Sequence, residues 1–218
     1  IICRQVLYGL RALVDADVVH SDIKPENILL PAAASPSDAA FLVLSGSGVV
    51  KVCDLGSASP VEDVDQEADY PRQTRDYRAP EAVLGCHFGP PADVWSMGCC
   101  AFEMMTGERM FDIVEEEGEL ERDFEQLGLM MELLGPVPAV MAREGTRARP
   151  LVSQTGVPRS PRCRDVRRWP LREVMIDKYG MPAASAAAVA AFVLPMLTWR
   201  PERRVTPGAA LRHPWLEQ

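Results

Sequence analysis

Lysine is almost missing from this sequence. Lys24, Lys51 and Lys178 are the only ones in 218 residues, so arginine carries nearly all of the positive charge, a bias that a GC-rich genome produces without selection on function. Histidine is equally scarce, at three. The six cysteines (Cys3, Cys53, Cys86, Cys99, Cys100, Cys163) form no C-x-x-C pair and no metal-like cluster, which predicts reduced intracellular thiols instead of a zinc site. No long hydrophobic run is present. The best candidate, Ala183 to Leu197, is Ala-rich and broken by Pro195, too short for a membrane span and expected to be a buried helix. No signal peptide is visible. The first residue is Ile1 with helical periodicity already running, which predicts a start inside a longer chain.

What is present is enough for a folded body. A hydrophobic content of 47% suffices for one globular domain, or for one lobe of a larger one, and argues against a disordered chain. Acidic residues outnumber basic ones 31 to 23, a net charge of -8 that disfavours direct nucleic-acid binding and favours basic ligands. The charge has two poles. Seven acidic residues and one arginine lie between Glu115 and Glu125, whereas Arg143 to Arg172 holds nine arginines against Glu144 and Asp165.

Residues Ile1 to about Val19 place Ile2, Val6, Leu10, Leu13 and Val14 on one helical face, the pattern of a core-facing helix. Pro25 and the polar cluster of HSDIKPEN force a loop, followed by the short apolar run Ile28 to Leu30. PAAASPSDAA reads as a low-complexity surface insertion, and Phe41 to Leu44 and Val49 to Cys53 as short strands flanking the turn-prone SGSG. From Asp54 to Glu81 no period is sustained, which predicts a long functional loop. PADVWSMGCCAFEMMTG is apolar nearly all round, opens on Pro91 and Asp93 and closes on Gly107, as a central helix over about 91–107 would. An acidic loop leads to a helix around Asp123 to Leu134, stopped by Gly135 and Pro136. An irregular Arg/Pro-rich stretch then runs to about Pro170, and two or three helices finish a chain without internal repeats. The predicted class is mainly α with a few short strands.

Chemistry concentrates in His20-Ser21-Asp22-Ile23-Lys24-Pro25-Glu26-Asn27, which puts a carboxylate, an ammonium and an amide in one loop. Phosphoryl transfer needs such a set: a carboxylate to orient the attacking hydroxyl, a cation on the moving phosphate, and an amide oxygen on the metal. A second carboxylate follows in Asp54-Leu55-Gly56. Mg²⁺ takes one or two carboxylates with phosphate oxygens and waters, so Asn27 and Asp54 form a plausible metal pair. Ala79-Pro80-Glu81, Asp93-Val94-Trp95-Ser96-Met97-Gly98 and Arg204 then follow in order.

In that order these motifs resemble the C-terminal lobe of a eukaryotic protein kinase, along the whole chain. The resemblance implies a catalytic loop at 20–27, a metal motif and activation segment at 54–81, an acidic insert and docking helix at about 108–134, and C-terminal helices at about 170–218. It also implies ATP and Mg²⁺ as cofactors, Asp22 as catalytic base, Lys24 as the phosphate-contacting lysine, and Asn27 and Asp54 as metal ligands. Glu81 and Arg204 would form a structural ion pair, and Asp93 would hold the catalytic loop's backbone. SDIKPENILL, VCDLGSAS, PADVWSMGCCAFEMMTGERMF, MMELLGPVP and LPMLTWRPERRVTPGAALRHPWL are most similar to the SR-protein kinases of the CMGC group, which phosphorylate serines in Arg-Ser repeats of splicing factors. TRDYRAPE is equally similar to the LAMMER-type dual-specificity splicing kinases, which stay as the alternative.

The resemblance places acidic docking positions at Glu108, Glu125 and Glu132, with Arg167 near a basic position flanking that groove. Arg-Ser repeats are polycations that an acidic groove attracts and orients. Ser21 stands where many kinases have an arginine balanced by a loop phosphate, so activity is expected not to require phosphorylation of Thr74, Ser57 or Ser59. The ATP-covering N-terminal lobe is absent: there is no Gly-rich loop, no V-A-I-K lysine and no partner glutamate. The isolated chain is therefore expected to bind ATP poorly, and a docking module without chemistry stays open as a reading. A monomer of cytoplasm and nucleus, with no membrane contact, completes the expectation.

Overall fold

Helix α1 (Ile2–Asp15) buries Cys3, Val6, Leu7 and Leu10, a 3–4 spacing that lays one stripe against the core. The stripe is turned by about one position from the sequence reading, for Val14 is exposed while Cys3 and Leu7 face inward. The helix also stops sooner. Asp17 takes a left-handed φ of 53°, and the β-branched pair Val18–Val19 forms strand β1 in place of another helical turn. The computed structural model describes residues 1–33, 35, 37–38, 42, 45, 48–67, 72–114, 118–163 and 166–217. Residues 41, 43 and 44 of the expected strand, residues 115–117 of the acidic run and four residues of the low-complexity insertion (34, 36, 39 and 40) fall outside the described residues.

Two small antiparallel ladders bracket the loop that follows. Strand β2 (Ile28–Leu29) pairs with β3 (Lys51–Val52), with Ile28 opposite Val52, and β1 pairs with β4 (Ser59–Pro60), with Val19 opposite Ser59. The stretch 54–81, expected as one long loop, contains β4 and short 3₁₀ turns at Leu55–Ser57, Val61–Glu67 and Arg75–Tyr77, and it ends in helix α2 (Pro80–Leu84).

Helix α3 (Pro91–Thr106) is the axis of the molecule. Proline suits the first turn because its missing N–H would be unpaired there, and Gly107 closes the helix at φ 77°, a conformation that costs glycine little. Ala92 through Phe102 are all buried. Trp95 stacks on Phe111 at 5.6 Å, and full burial of side chains of this size contributes roughly 1.5–3 kcal/mol each. Gly98 allows the close approach of the next layer, since a Cβ there would lie 2.9 Å from Leu197 Cδ2 and 3.0 Å from Met196 Cβ.

Helix α4 (Glu119–Leu134) starts four residues earlier than its apolar pattern indicates, with Glu119 and Glu121 in the first turn where they complement the helix dipole. The Arg/Pro-rich stretch is less irregular than expected, for it contains α5 (Ala139–Glu144) and α6 (Ala148–Leu151). Helices α7 (Leu171–Asp177), α8 (Ala183–Val193) and α9 (Pro207–Ala210) complete the chain. Helix α7 packs on α8, and α1 packs on α3 and α9. Helix α8 is buried on one side only: Ala186, Val189, Ala190, Phe192 and Val193 face in, while Ala183, Ala184 and Ala187 face solvent. None of the six cysteines forms a disulfide. Among the described residues no helix is long and apolar enough to cross a membrane.

Candidate active site

Asp93, in the first turn of α3, is buried and accepts backbone N–H groups from His20 (2.8 Å) and Ser21 (3.0 Å) on its two oxygens. Burial pushes its carboxyl up to about 7, against the pull of those two donors. Ser21 adopts a left-handed φ of 67°, which turns both amides toward the one carboxylate. The His20 ring fixes the same corner. Its Nδ1 accepts the Asp22 N–H at 3.2 Å, so Nε2 carries the proton and donates to Cys53 O at 3.0 Å.

Asp22 projects from this anchored backbone into a ring of donors. Lys24 Nζ lies 2.6 Å from Oδ2, Asn27 Nδ2 lies 3.2 Å from the same oxygen, and the Thr74 hydroxyl donates to Oδ1 at 2.7 Å. Burial raises the Asp22 carboxyl, but the hydrogen bonds from Lys24 and Thr74 outweigh it and hold the group below its ordinary range. Lys24 also donates to Thr74 Oγ1 at 3.1 Å, leaving one of its three N–H groups for another acceptor.

Asn27 spends both amide hydrogens on Asp22, on its backbone oxygen (2.8 Å) and on its carboxylate. Its Oδ1 therefore points away with no hydrogen bond among the described residues. Cys53 N donates to Asn27 O at 3.0 Å, which ties this loop to the end of β3 and so to Asp54. Asp54 is exposed, in a left-handed conformation (φ 65°), with Oδ1 accepting from Gly56 N at 3.3 Å. One free amide oxygen and one exposed carboxylate are the hard oxygen donors that Mg²⁺ shares with phosphate and water, so the residues present fit that ion.

The segment after Asp54 returns to the site through Gln73, also left-handed at φ 74°. Gln73 is buried, donates to Ala92 O and Ser96 Oγ, and accepts from Ala79 N, which seats Thr74 over Asp22. Thr74 was legible in the sequence only as a phosphorylation candidate. Its hydroxyl is already engaged with Asp22 and Lys24. Farther along, Glu81 and Arg204 form a bidentate pair at 2.6 and 2.9 Å with both side chains fully buried, and Arg204 also donates to Pro91 O and Thr198 O.

Comparison with known proteins gives this geometry a family. The protein kinase domain matches residues 1–216. The chain belongs to the protein kinase family. It is 38% identical over 167 residues to SRSF protein kinase 3 of Sus scrofa, which covers 77% of this chain and 28% of that protein. Over 233 residues, 99% of this chain and 36% of that protein, it is 34% identical to dual specificity tyrosine-phosphorylation-regulated kinase 3 of Rattus norvegicus. Serine/threonine-protein kinase SKY1 of Saccharomyces cerevisiae is 33% identical over 168 residues, 77% of this chain and 22% of that protein. The chain thus spans less than two fifths of the length of each of these relatives.

Of the remaining predicted residues, Glu108, Glu125 and Glu132 meet beside α4 and Arg167 does not. A cleft of about 550 Å³ takes in Glu108, Glu132, Trp169 and Lys178, and a second of about 760 Å³ takes in Glu121, Glu125, Glu132 and Arg159. The two share Leu129 and Glu132, so Glu108, Glu132 and Glu125 line adjoining clefts. Glu125 Oε1 accepts from Val114 N at 3.3 Å, whereas its Oε2 is buried without a hydrogen-bond partner among the described residues. Arg167 is exposed and lines neither cleft, although its neighbours Val166 and Trp169 do, and Trp169 N binds Glu132 O at 2.8 Å. Arg75, which the sequence did not single out, joins the segment before α2 to α4 through Asp123 (2.7 Å) and Glu119.

Proposed function

We propose that the chain is the C-terminal lobe of a serine/threonine kinase that transfers the γ-phosphate of ATP to serines in Arg-Ser-rich proteins such as splicing factors. The observation that carries this reading is the convergence of Asp22, Lys24, Asn27 and Thr74 within hydrogen-bonding distance on a loop clamped by buried Asp93. A substrate hydroxyl entering this ring is oriented by Asp22, whose carboxylate receives the proton as the oxygen attacks phosphorus. Lys24, through its remaining N–H, holds a phosphate oxygen. Asn27 Oδ1 and Asp54 would hold Mg²⁺, which would draw negative charge off the phosphates. Thr74 keeps Asp22 ionised and aimed.

Leu29, Leu30 and Leu55 are 48%, 45% and 59% exposed beside Asn27 and Asp54. Exposed leucines close in sequence to the proposed metal ligands offer apolar contact to an adenine ring. Glu108, Glu125 and Glu132 hold the arginines of the substrate, with Arg167 at the margin, and the bare Glu125 Oε2 supports this because a buried carboxylate oxygen is costly until a cation meets it. The kinase acts as a monomer in cytoplasm and nucleus, on protein and not on nucleic acid or membrane.

The test is phosphate transfer to an Arg-Ser repeat peptide by the full protein. Asp22→Asn is expected to lower turnover by about 10²- to 10⁴-fold while peptide binding persists. Glu125→Lys with Glu132→Lys is expected to weaken peptide binding, most at low salt. Unreduced turnover in Asp22→Asn would overturn the assignment, and binding without any transfer by the wild type would leave a docking module. The 99% coverage by the dual-specificity relative favours a second reading, in which tyrosine is also a substrate; a tyrosine-containing peptide in the same assay separates the two.

A further inference from the structure

Glu108, one of the three proposed docking carboxylates, is already paired. Lys178 Nζ lies 2.5 Å from Glu108 Oε2, and the Tyr179 hydroxyl donates to the same oxygen at 2.9 Å. Both bases of this contact are fixed. Glu108 follows the α3 terminus, with its N–H and its carbonyl each hydrogen-bonded to Thr106 Oγ1 at 3.2 Å. Lys178 caps α7, its N–H bonded to Val174 O, where the negative end of the helix also attracts the ammonium. Tyr179 is held edge-on against Phe102 at 5.8 Å, with the ammonium 5.3 Å above its own ring. The contact lies in the wall of the 550 Å³ cleft, one lining position of which is Glu132.

The contact is nevertheless wet. Lys178 and Glu108 are 46% and 54% exposed, so water and salt screen the pair and a better cation can replace the ammonium. Arginine is such a cation, because its planar fork can meet a carboxylate with two parallel N–H bonds where lysine presents a point charge. In one cleft system the kinase therefore offers a bare buried oxygen on Glu125 and, on Glu108, an oxygen covered by its own lysine.

We infer that Lys178 is a built-in competitor for the arginine subsite at Glu108, and that an Arg-rich ligand displaces it on docking. The inference rests on the docking reading above. It has two consequences. Removing the lysine charge raises affinity for the ligand, and it steepens the salt dependence. In the wild type one ion pair is broken for the one formed at Glu108, whereas without the lysine the new pair is a net gain.

The experiment is binding of a fluorescent Arg-Ser octarepeat to the full protein, followed by anisotropy across a salt series. Four variants are compared: Lys178→Gln, Glu108→Gln, the double variant, and Arg172→Gln, which removes one charge from an exposed position on the same helix. Lys178→Gln is expected to bind about two- to fivefold tighter than wild type, the range of an exposed ion pair. It should exceed the gain in Arg172→Gln and show a steeper salt slope. The double variant should match Glu108→Gln. Equal or weaker binding by Lys178→Gln, with the wild type binding well, overturns the competitor and leaves the groove standing. Absence of peptide binding by the wild type overturns the docking reading and this inference with it.

Discussion

Two glutamate–cation pairs in this kinase share their chemistry and differ in everything that gives it consequence. Glu81 and Arg204 are both fully buried, with Arg204 additionally bonded to carbonyls of Pro91 and Thr198. Glu108 and Lys178 are about half exposed and make their bond in water. The first pair holds α2 to the segment before α9. Losing one partner strands a charge in a dry interior. The second stores little energy and is for that reason displaceable. The same salt bridge is architecture where solvent is excluded and a latch where it is not. Asp22–Lys24, at 15% and 22% exposure, lies between them, and there the polar ring is shared with a proposed reaction.

The comparison is most sharply tested by Arg204→Gln. An uncompensated buried Glu81 is expected to cost roughly 3–5 kcal/mol, read as a fall in Tm of about 6–20 °C by calorimetry. Next comes Arg75→Ala, which removes a mostly buried partner of Asp123 (14% and 6% exposed) and should cost about 1–3 kcal/mol in urea unfolding. Thr74→Ala should lower turnover about tenfold and move the acid limb of the pH–rate profile upward. The sign follows from Asp22: its folded-state carboxyl is held below the ordinary range, so its contribution is present above that range and is lost as pH falls through the depressed value. Removing the Thr74 hydroxyl relaxes the depression. Thr74→Ser should restore rate and profile, and Thr74→Glu should abolish both. A Thr74→Ala enzyme with wild-type rate and profile would break the intermediate case. Smallest of all, Glu108→Gln should leave Tm unmoved, and a measurable drop would make the outer pair architectural too.

Asp22, Lys24 and Asn27 were readable because they lie in one eight-residue string whose chemistry is dense. The central helix was readable because Pro91 and Gly107 punctuate it. What escaped reading depends on contacts between distant segments. Thr74 meets Asp22 across 52 residues and Lys178 meets Glu108 across 70, and no local pattern encodes either. Helices α5 and α6 are six and four residues long, too short for propensity alone, and form because the surrounding core holds them. On α1, Ile2, Val6, Leu10 and Leu13 do pack on the core, whereas Val14 is exposed and Cys3 and Leu7, which bury as readily, complete the stripe.

Ser21, Asp54 and Gln73 all have left-handed backbones, and none of them is glycine. Each such residue costs free energy that only a rigid surrounding can supply. Taken out of the molecule, the eight residues from His20 to Asn27 would have no reason to bend as they do, and a peptide copy would present these side chains in many directions at once. The chemistry is thus not portable as a loop. The smallest transplantable unit is the loop together with α3 and the returning segment through Gln73, so carrying this arrangement to another scaffold means moving a large part of the fold.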